Sequence, residues 1–294
     1  MLSRTEKNKT TRKKIDREEK HEKRMATFLK VFKICSNVFL CIVAILIYIF
    51  FIANNTIIVR EYSPAYTTLP QSFHGFKIAH FSDLYYTNYT INLDEVINDI
   101  NKTKPDLVIF SGGLVHKDYK LTKQDNEKLQ KAFSKIKSTT GKYYVIGKND
   151  NEDTIDILNK AGFKLLNDEE ELIYFNGTTP ILLRGINEKF DIDYDDNKEL
   201  FKINVVHESD KTDEILNSNT PEVIISGNSR GGQIRLPYLR GFIKFNGSKK
   251  YTEEHYNLDK TDLYVSYGIG TDNIPIRLFN HPSINLYRLR KTNS

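Results

Sequence analysis

Twenty consecutive residues, Ile34 to Ala53 (ICSNVFLCIVAILIYIFFIA), carry no charge. At about 1.5 Å rise per residue such a run crosses a hydrocarbon core of about 30 Å, so the pattern predicts one membrane-spanning helix. A buried core helix of this length would show a polar stripe. A cleaved signal peptide would have a shorter apolar stretch followed by a small-residue cleavage site. After the span, residues 54–75 hold Pro64 and Pro70 among scattered Thr and Tyr, which predicts an extended extracytoplasmic linker.

From Phe76 onward, short apolar runs alternate with amphipathic segments. Phe76 to Phe81 (FKIAHF), Leu107 to Ser111, Tyr143 to Ile146, Leu172 to Phe175, Ile181 to Gly185, Ile203 to Val206 and Val223 to Ser226 read as buried strands. Leu93 to Asn101, Thr122 to Ile136, Thr154 to Ala161 and Thr212 to Asn217 read as helices between them. Leu263 to Tyr267, Ile276 to Phe279 and Ile284 to Leu289 read as closing strands with little helix. Strand and helix alternate in the first half and strands dominate the second, which predicts a layered α/β fold. In such folds the loops at the carboxyl ends of the strands carry the chemistry. Here those loops hold Asp83-Leu84-Tyr85, Gly112-Gly113, Gly147 to Asp150, His207 and Gly227 to Gln233.

Charge divides the chain further. Residues 1–33 hold 12 Lys/Arg against 5 Asp/Glu, a net +7, whereas the other 261 residues hold 31 against 33, a net −2. The body lacks the basic footprint of a nucleic-acid binder, so no nucleic-acid partner is expected. The basic head before an apolar span fixes orientation: by the positive-inside rule, residues 1–33 form a cytoplasmic tail and the folded body is extracytoplasmic. The partner of 34–53 is then membrane lipid. The two cysteines, Cys35 and Cys41, both lie in the span, so the body has neither a disulfide framework nor a thiolate zinc site.

The ordered segments resemble the calcineurin-like metallophosphoesterases, in particular the bacterial branch with one N-terminal membrane span. FKIAHFSDL is similar to the opening strand and D-x-H turn, and PDLVIFSGGLV to the strand ending in G-D. YYVIGKND is similar to the strand ending in G-N-H-D, INVVHESD to the strand ending in a lone His, and VIISGNSRGGQIRLP to the strand ending in G-H-T-H-G-G-Q. The closing YVSYGIGTDNIPIRLFNHPSINLYRL matches G-x-G-x-x-x-x-P-x-R-x-x-x-x-P. The resemblance covers roughly Phe76 to Leu289. It implies an α/β fold, a layered metallophosphoesterase-like β-sandwich flanked by helices, occupying residues 76–294 behind the single transmembrane helix.

Active members of the family hold two metal ions that polarise a phosphate ester and generate a hydroxide. By the resemblance, the first Asp of that centre is Asp83 and the lone His is His207. The D-x-H histidine is replaced by Tyr85, the bridging Asp by Gly113, the bridging Asn by Lys148, and the two G-H-T-H histidines by Asn228 and Arg230. Asn149 stands where the family has the histidine that protonates the leaving group, while Asp150 matches the family Asp. A one-residue insertion would instead let Asn149 serve as the ligand Asn, leaving Gly113, Asn228 and Arg230 unexplained. His80 inside a strand reads as a packed histidine. His116 and Asp118 read as solvent-facing, and His74, His255 and His281 have no ligand spacing.

These substitutions imply a degenerate member, a pseudoenzyme acting by binding or scaffolding outside the membrane. No cofactor is expected, and Asp83 and His207 are vestigial metal positions. Lys148 and Arg230 would place two fixed cations beside Asp83, either as its ion-pair partners or, with Asn228 and Asn149, as a pocket for a phosphate-bearing ligand. The alternative is an active phosphoesterase with a reduced metal site holding Mn, Fe or Zn.

Overall fold

Central strands such as Leu107–Phe110 (LVIF) and Val223–Gly227 (VIISG) are buried along their whole length because both of their faces are covered. The computed structural model describes residues 4–54, 56–87, 92–188, 200–236, 239, 241–272 and 275–293, and only the backbone of 4–16 and 50–52. Contacts divide the chain into two units, Met1–Phe51 and Ile52–Ser294.

Among the described residues the first unit forms one helix, α1 (Arg4–Ile47), followed by a π-helical segment, Tyr48–Ala53, whose last two residues belong to the second unit. Within it Arg17–Ile47 is long and apolar enough to cross a membrane. The expected border at residues 33 and 34 is not a break in structure. Residues 1–53 contain no Gly or Pro, and Lys, Arg, Glu, Met and Ala all favour the helix, so nothing stops it between head and span. The first three residues of the expected tail lie outside the described residues.

The second unit contains strands β1 (Ile58–Tyr62), β2 (Ala65–Tyr66), β3 (Lys77–Phe81), β4 (Leu107–Phe110), β5 (Gly141–Tyr144), β6 (Lys164–Leu165) and β7 (Glu170–Ile173). It continues with β8 (Ile181–Ile186), β9 (Lys202–Glu208), β10 (Val223–Gly227), β11 (His255–Leu258), β12 (Thr261–Val265), β13 (Ser283–Arg288) and β14 (Arg290–Lys291). Its helices are α2 (Leu93–Lys102), α3 (Lys123–Ser134), α4 (Glu152–Lys160) and α5 (Thr212–Ser218). Two six-stranded sheets form, in the orders β1-β13-β3-β4-β5-β6 and β11-β12-β10-β9-β8-β7, and β14 pairs with β2. β3 to β6 run parallel, as do β8, β9, β10 and β12.

Alternate residues of each strand enter different layers, as the two-residue period requires. Ile78, Leu107 and Ile109 of the first sheet meet Leu183, Ile203 and Ile225 of the second in one cluster between the sheets. Ala79, Phe81, Val108 and Phe110 point the other way, onto Val96, Ile100, Leu129, Phe133 and Leu158 of α2, α3 and α4. Val206, Ile224 and Leu263 cover the outer face of the second sheet together with Ile215 of α5. This is a β-sandwich flanked by helices, the layered α/β architecture implied by the resemblance.

Two local expectations are corrected. Residues 54–75 are not an extended linker: β1 pairs parallel with β13, a short 3-10 turn forms at Gln71–Phe73, and Leu69 and Phe73 are fully buried in the inter-sheet cluster. Burial of these two side chains contributes roughly 2 kcal/mol each, which a solvated tether would forgo. Ile276 to Phe279 forms no strand. Leu278 alone makes an isolated bridge, to Ile234, and the Arg277 N–H donates instead to the Asn54 side chain at 2.7 Å.

Candidate functional site

The loops at the carboxyl ends of β3, β4 and β12 are tied to one another through the backbone. The Asp83 N–H donates to Gly112 O at 2.8 Å and the Tyr85 N–H to Gly113 O at 3.0 Å. From the loop after β12, Ile269 and Gly270 donate to Ser82 O and Asp83 O at 3.0 and 2.7 Å. Asp83, Tyr85, Asn228, Arg230 and Gln233 all hold positive φ, between 45° and 61°. Such backbone costs on the order of 1 kcal/mol or more per residue outside glycine, and its concentration here marks an over-determined site.

Asp83 is fully buried. Its Oδ2 accepts from the Ser82 hydroxyl and, at 2.9 Å, from the Asn228 N–H. Its Oδ1 is buried without a hydrogen-bond partner among the described residues. No ion pair joins Asp83 to Lys148 or Arg230 among those residues, which corrects the expected pairing. A wholly buried cation, Arg277, feels the charge of Asp83. Burial and the neighbouring Arg230 bring the Arg277 guanidinium down to about 9, while Asp83 pulls it back up. Nη2 of Arg277 donates to the carbonyls of Tyr267, Gly268 and Gly270, at 2.9, 3.2 and 2.6 Å.

Arg230 is 2% exposed and has a different partner from the expected one. Its guanidinium lies 3.4 Å from the centroid of Phe245 and 4.5 Å from that of Tyr85, and Nη1 is 3.2 Å from Oδ2 of Asp272. Oδ1 of Asp272 is 3.3 Å from Nε2 of His116. Nδ1 of His116 accepts the Asp118 N–H at 3.2 Å. His116 is therefore part of the site and not solvent-facing, because its ring packs edge-on against Tyr85; Asp118 is exposed as expected.

His207 is buried, and Nδ1 lies 2.6 Å from Ser111 O. A carbonyl only accepts, so Nδ1 carries a proton, and in the neutral ring Nε2 is the atom with the lone pair. Asp150 matches the family position in a structural way: its carboxylate accepts the N–H groups of Gly113, Leu114 and Gly147 at 2.7 to 2.8 Å. Burial pushes its carboxyl up, and those three donors oppose the shift. His80 is packed as expected, bonded to Tyr287 Oη and Ser111 Oγ, and burial drives it down to about 3.

The four candidates for an anion pocket have different surroundings. Lys148 lines a cleft of about 390 Å³ with Asp150, Glu188, His207, Glu208 and Lys211. Three carboxylates against two ammonium groups do not make that cleft basic. Asn149 lines a separate depression beside His116 and Asp118. The Asn228 amide donates to Asn246 O and Ser248 Oγ, so its donors are committed, and Arg230 is enclosed by the two rings.

Nor do the residues fit a pair of metal ions. No group of three or more His, Cys, Asp or Glu able to hold one occurs among the described residues. Asp83 and His207 abut successive positions of one turn, Gly113 and Gly112, and neither glycine offers a donor side chain between them. The sequence reading missed Arg277, Asp272 and Phe245. Arg277 was visible in the P-x-R of the closing pattern, whereas Asp272 and Phe245 gain meaning only from their contact with Arg230.

No protein-family model matches the chain. An uncharacterized metallophosphoesterase of Bacillus subtilis (strain 168), YkuE, is 28% identical over 248 residues, covering 79% of this chain and 85% of the relative. A second uncharacterized metallophosphoesterase, Cj0846 of Campylobacter jejuni, is 26% identical over 255 residues, covering 81% of this chain and 65% of its own length. Among solved structures, TT1561 of Thermus thermophilus aligns with a TM-score of 0.42 at 11% identity, over 66% of this chain and 90% of that one. The calcineurin-like phosphoesterase YfkN of Bacillus subtilis aligns with a TM-score of 0.38 at 12% identity, over 66% and 81%. The sequence relatives support the metallophosphoesterase superfamily for this chain, in agreement with its ordered motifs.

Proposed function

We propose that the chain is a membrane-anchored, degenerate member of the metallophosphoesterase superfamily that acts by binding or scaffolding and not by hydrolysis. One observation carries the reading. Arg230, at a position where the resemblance implies a metal-binding histidine, is a stacked and ion-paired guanidinium held against Tyr85, Phe245 and Asp272. A fixed cation there repels a metal ion, and Gly113 supplies no bridging carboxylate to offset the repulsion. The lone pair of His207 Nε2 favours the second reading, a single-metal phosphoesterase. Metal analysis of the full-length purified chain separates the two. Less than stoichiometric Mn, Fe and Zn agrees with the first, and one bound ion per chain together with hydrolysis that Asp83→Asn abolishes establishes the second.

The anchor is placed by the same logic as the sequence reading: α1 crosses the membrane with the +7 head in the cytoplasm and the body outside. A reporter that works only in the cytoplasm, fused after Ser294, should be silent. A strong signal would reverse the orientation.

A further inference from the structure

The apolar surface of the body is concentrated beside the point where the chain leaves its apolar helix. Ile58, Val59, Leu236, Leu239, Phe242 and Phe279 are all exposed, and outside α1 the remaining exposed large hydrophobics among the described residues are Leu172 and Tyr174 alone. Scattered single residues of this kind need no explanation, but a contiguous patch does.

Hydrogen bonds bring the segments that carry these residues close to one another. The helical segment ends at Ala53, and the next residue, Asn54, is clamped: its side-chain amide donates to Pro275 O and its side-chain carbonyl accepts the Arg277 N–H, both at 2.7 Å. Phe279 is two residues past Arg277, at most about 7 Å of chain. Ile58 donates to Pro282 O at 2.9 Å, three residues beyond Phe279. Leu278 bridges Ile234 and accepts the Arg235 N–H at 2.9 Å, and Phe242 donates back to Ile234 O at 2.9 Å. Leu236 and Leu239 close a turn on themselves, the Leu239 N–H donating to Leu236 O at 3.0 Å. The loop carrying Leu236, Leu239 and Phe242, 40%, 55% and 57% exposed, is thus attached within a few residues of the clamp on Asn54.

We propose that this rim is a membrane-contact surface, with Leu239 and Phe242 resting in the lipid headgroup and upper acyl region of the leaflet from which α1 emerges. The occupant is lipid because the covalent attachment of Asn54 to the end of the apolar helix holds the rim at the bilayer surface. Side chains of this type partition about 5–10 Å into that region. Lys244, exposed just beyond Phe242, suits anionic headgroups. The proposal rests on the anchoring read above, and it goes further by assigning the body a fixed orientation on the membrane and not free motion on a tether.

The chain contains no tryptophan, so a single introduced Trp is its only indole. Full-length Leu239→Trp and Phe242→Trp would be reconstituted in phosphatidylcholine and phosphatidylglycerol vesicles, with and without lipids brominated near the headgroup end of the acyl chain. Phe39→Trp, inside the span, reports anchoring itself, and Tyr174→Trp, on the far edge of the second sheet, reports a position away from the rim. The expected result is about twofold or greater quenching at positions 239 and 242 and none at 174. Quenching at 39 but no more at 239 and 242 than at 174 overturns the membrane-contact surface and leaves the anchor standing. No quenching at 39 overturns the anchor and the surface with it.

Discussion

A Cβ placed on Gly113 would lie 3.2 Å from Oδ1 of Asp83 and 3.0 Å from its Cα. Gly113 also has φ of +81°, which side chains rarely adopt. A side chain at Gly113, which the resemblance matches to the family's bridging aspartate, would therefore be crowded by Asp83 and strained by its backbone. Restoring the carboxylate as Gly113→Asp should lower stability by about 1–3 kcal/mol, through strain and repulsion from the buried Asp83. Thermal melting should show a drop of several degrees, with no gain of bound Mn. Stoichiometric Mn in this variant would mean that one added carboxylate is enough to build a metal site here, against the proposed binding or scaffolding role.

Arg230 should be more than a charge. Arg230→Ala leaves Asp272 without its cation and two rings without their filler, and should cost about 2–4 kcal/mol, at the lower end because Asp272 is partly solvated. Arg230→Lys keeps the charge but not the planar group between the rings, so it should recover less than half of the loss. Urea unfolding of the three proteins checks the order. Full recovery by Lys would assign the site's stability to charge alone.

The pH dependence has a defined sign. Burial lowers His80 from 6.5 to about 3, so the unfolded chain binds the proton more tightly and acid favours unfolding. The contribution is complete above about pH 6.5, shrinks as pH falls, and is used up near pH 3. At pH 5 it should amount to about 2 kcal/mol of lost stability. His80→Asn should start less stable at pH 7 yet lose less between pH 7 and 5. Equal losses in the two proteins would remove His80 as the acid-sensitive group.

Phosphate should not stabilise the body beyond chloride at the same ionic strength. Lys148 shares its cleft with Asp150, Glu188 and Glu208, and Arg230 is already paired elsewhere. A specific site with a Kd of about 0.1 mM would add on the order of 1.4 kcal/mol at 1 mM phosphate, a shift of a few degrees. Such a shift, lost in Lys148→Ala, would restore the anion-binding reading and locate it in that cleft.

Much of this was legible in order along the chain. The uncharged run from Ile34 to Ala53, the double-sided apolar strands and the five strand-end motifs follow from composition and period, which are local properties. Strand limits moved by up to two residues, as at Gly141–Tyr144, because hydrogen-bond pairing and not hydropathy ends a strand. The segment 54–75 read as linker because β1 is an edge strand with an exposed, exposed, half-buried pattern, and only its partner β13, more than 200 residues away, makes it a strand.

That Tyr85, Gly113, Lys148, Asn228 and Arg230 stand at the motif positions is what the resemblance implies; what those residues do was not legible in the sequence. Sequence adjacency to a motif carries no information about which side chain a charge will face. The resemblance matches Asp83 and Arg230 to neighbouring ligand positions, yet Arg230 turns to Asp272, Tyr85 and Phe245, while Arg277, far along the chain from both, is the buried cation that feels Asp83. Those partners come from separate segments of the chain and meet through packing of the β12 loop against the ends of β3 and β10. Which cation neutralises which carboxylate is decided by distances in three dimensions, since Coulomb energy depends on separation and burial, and neither is written in the chain.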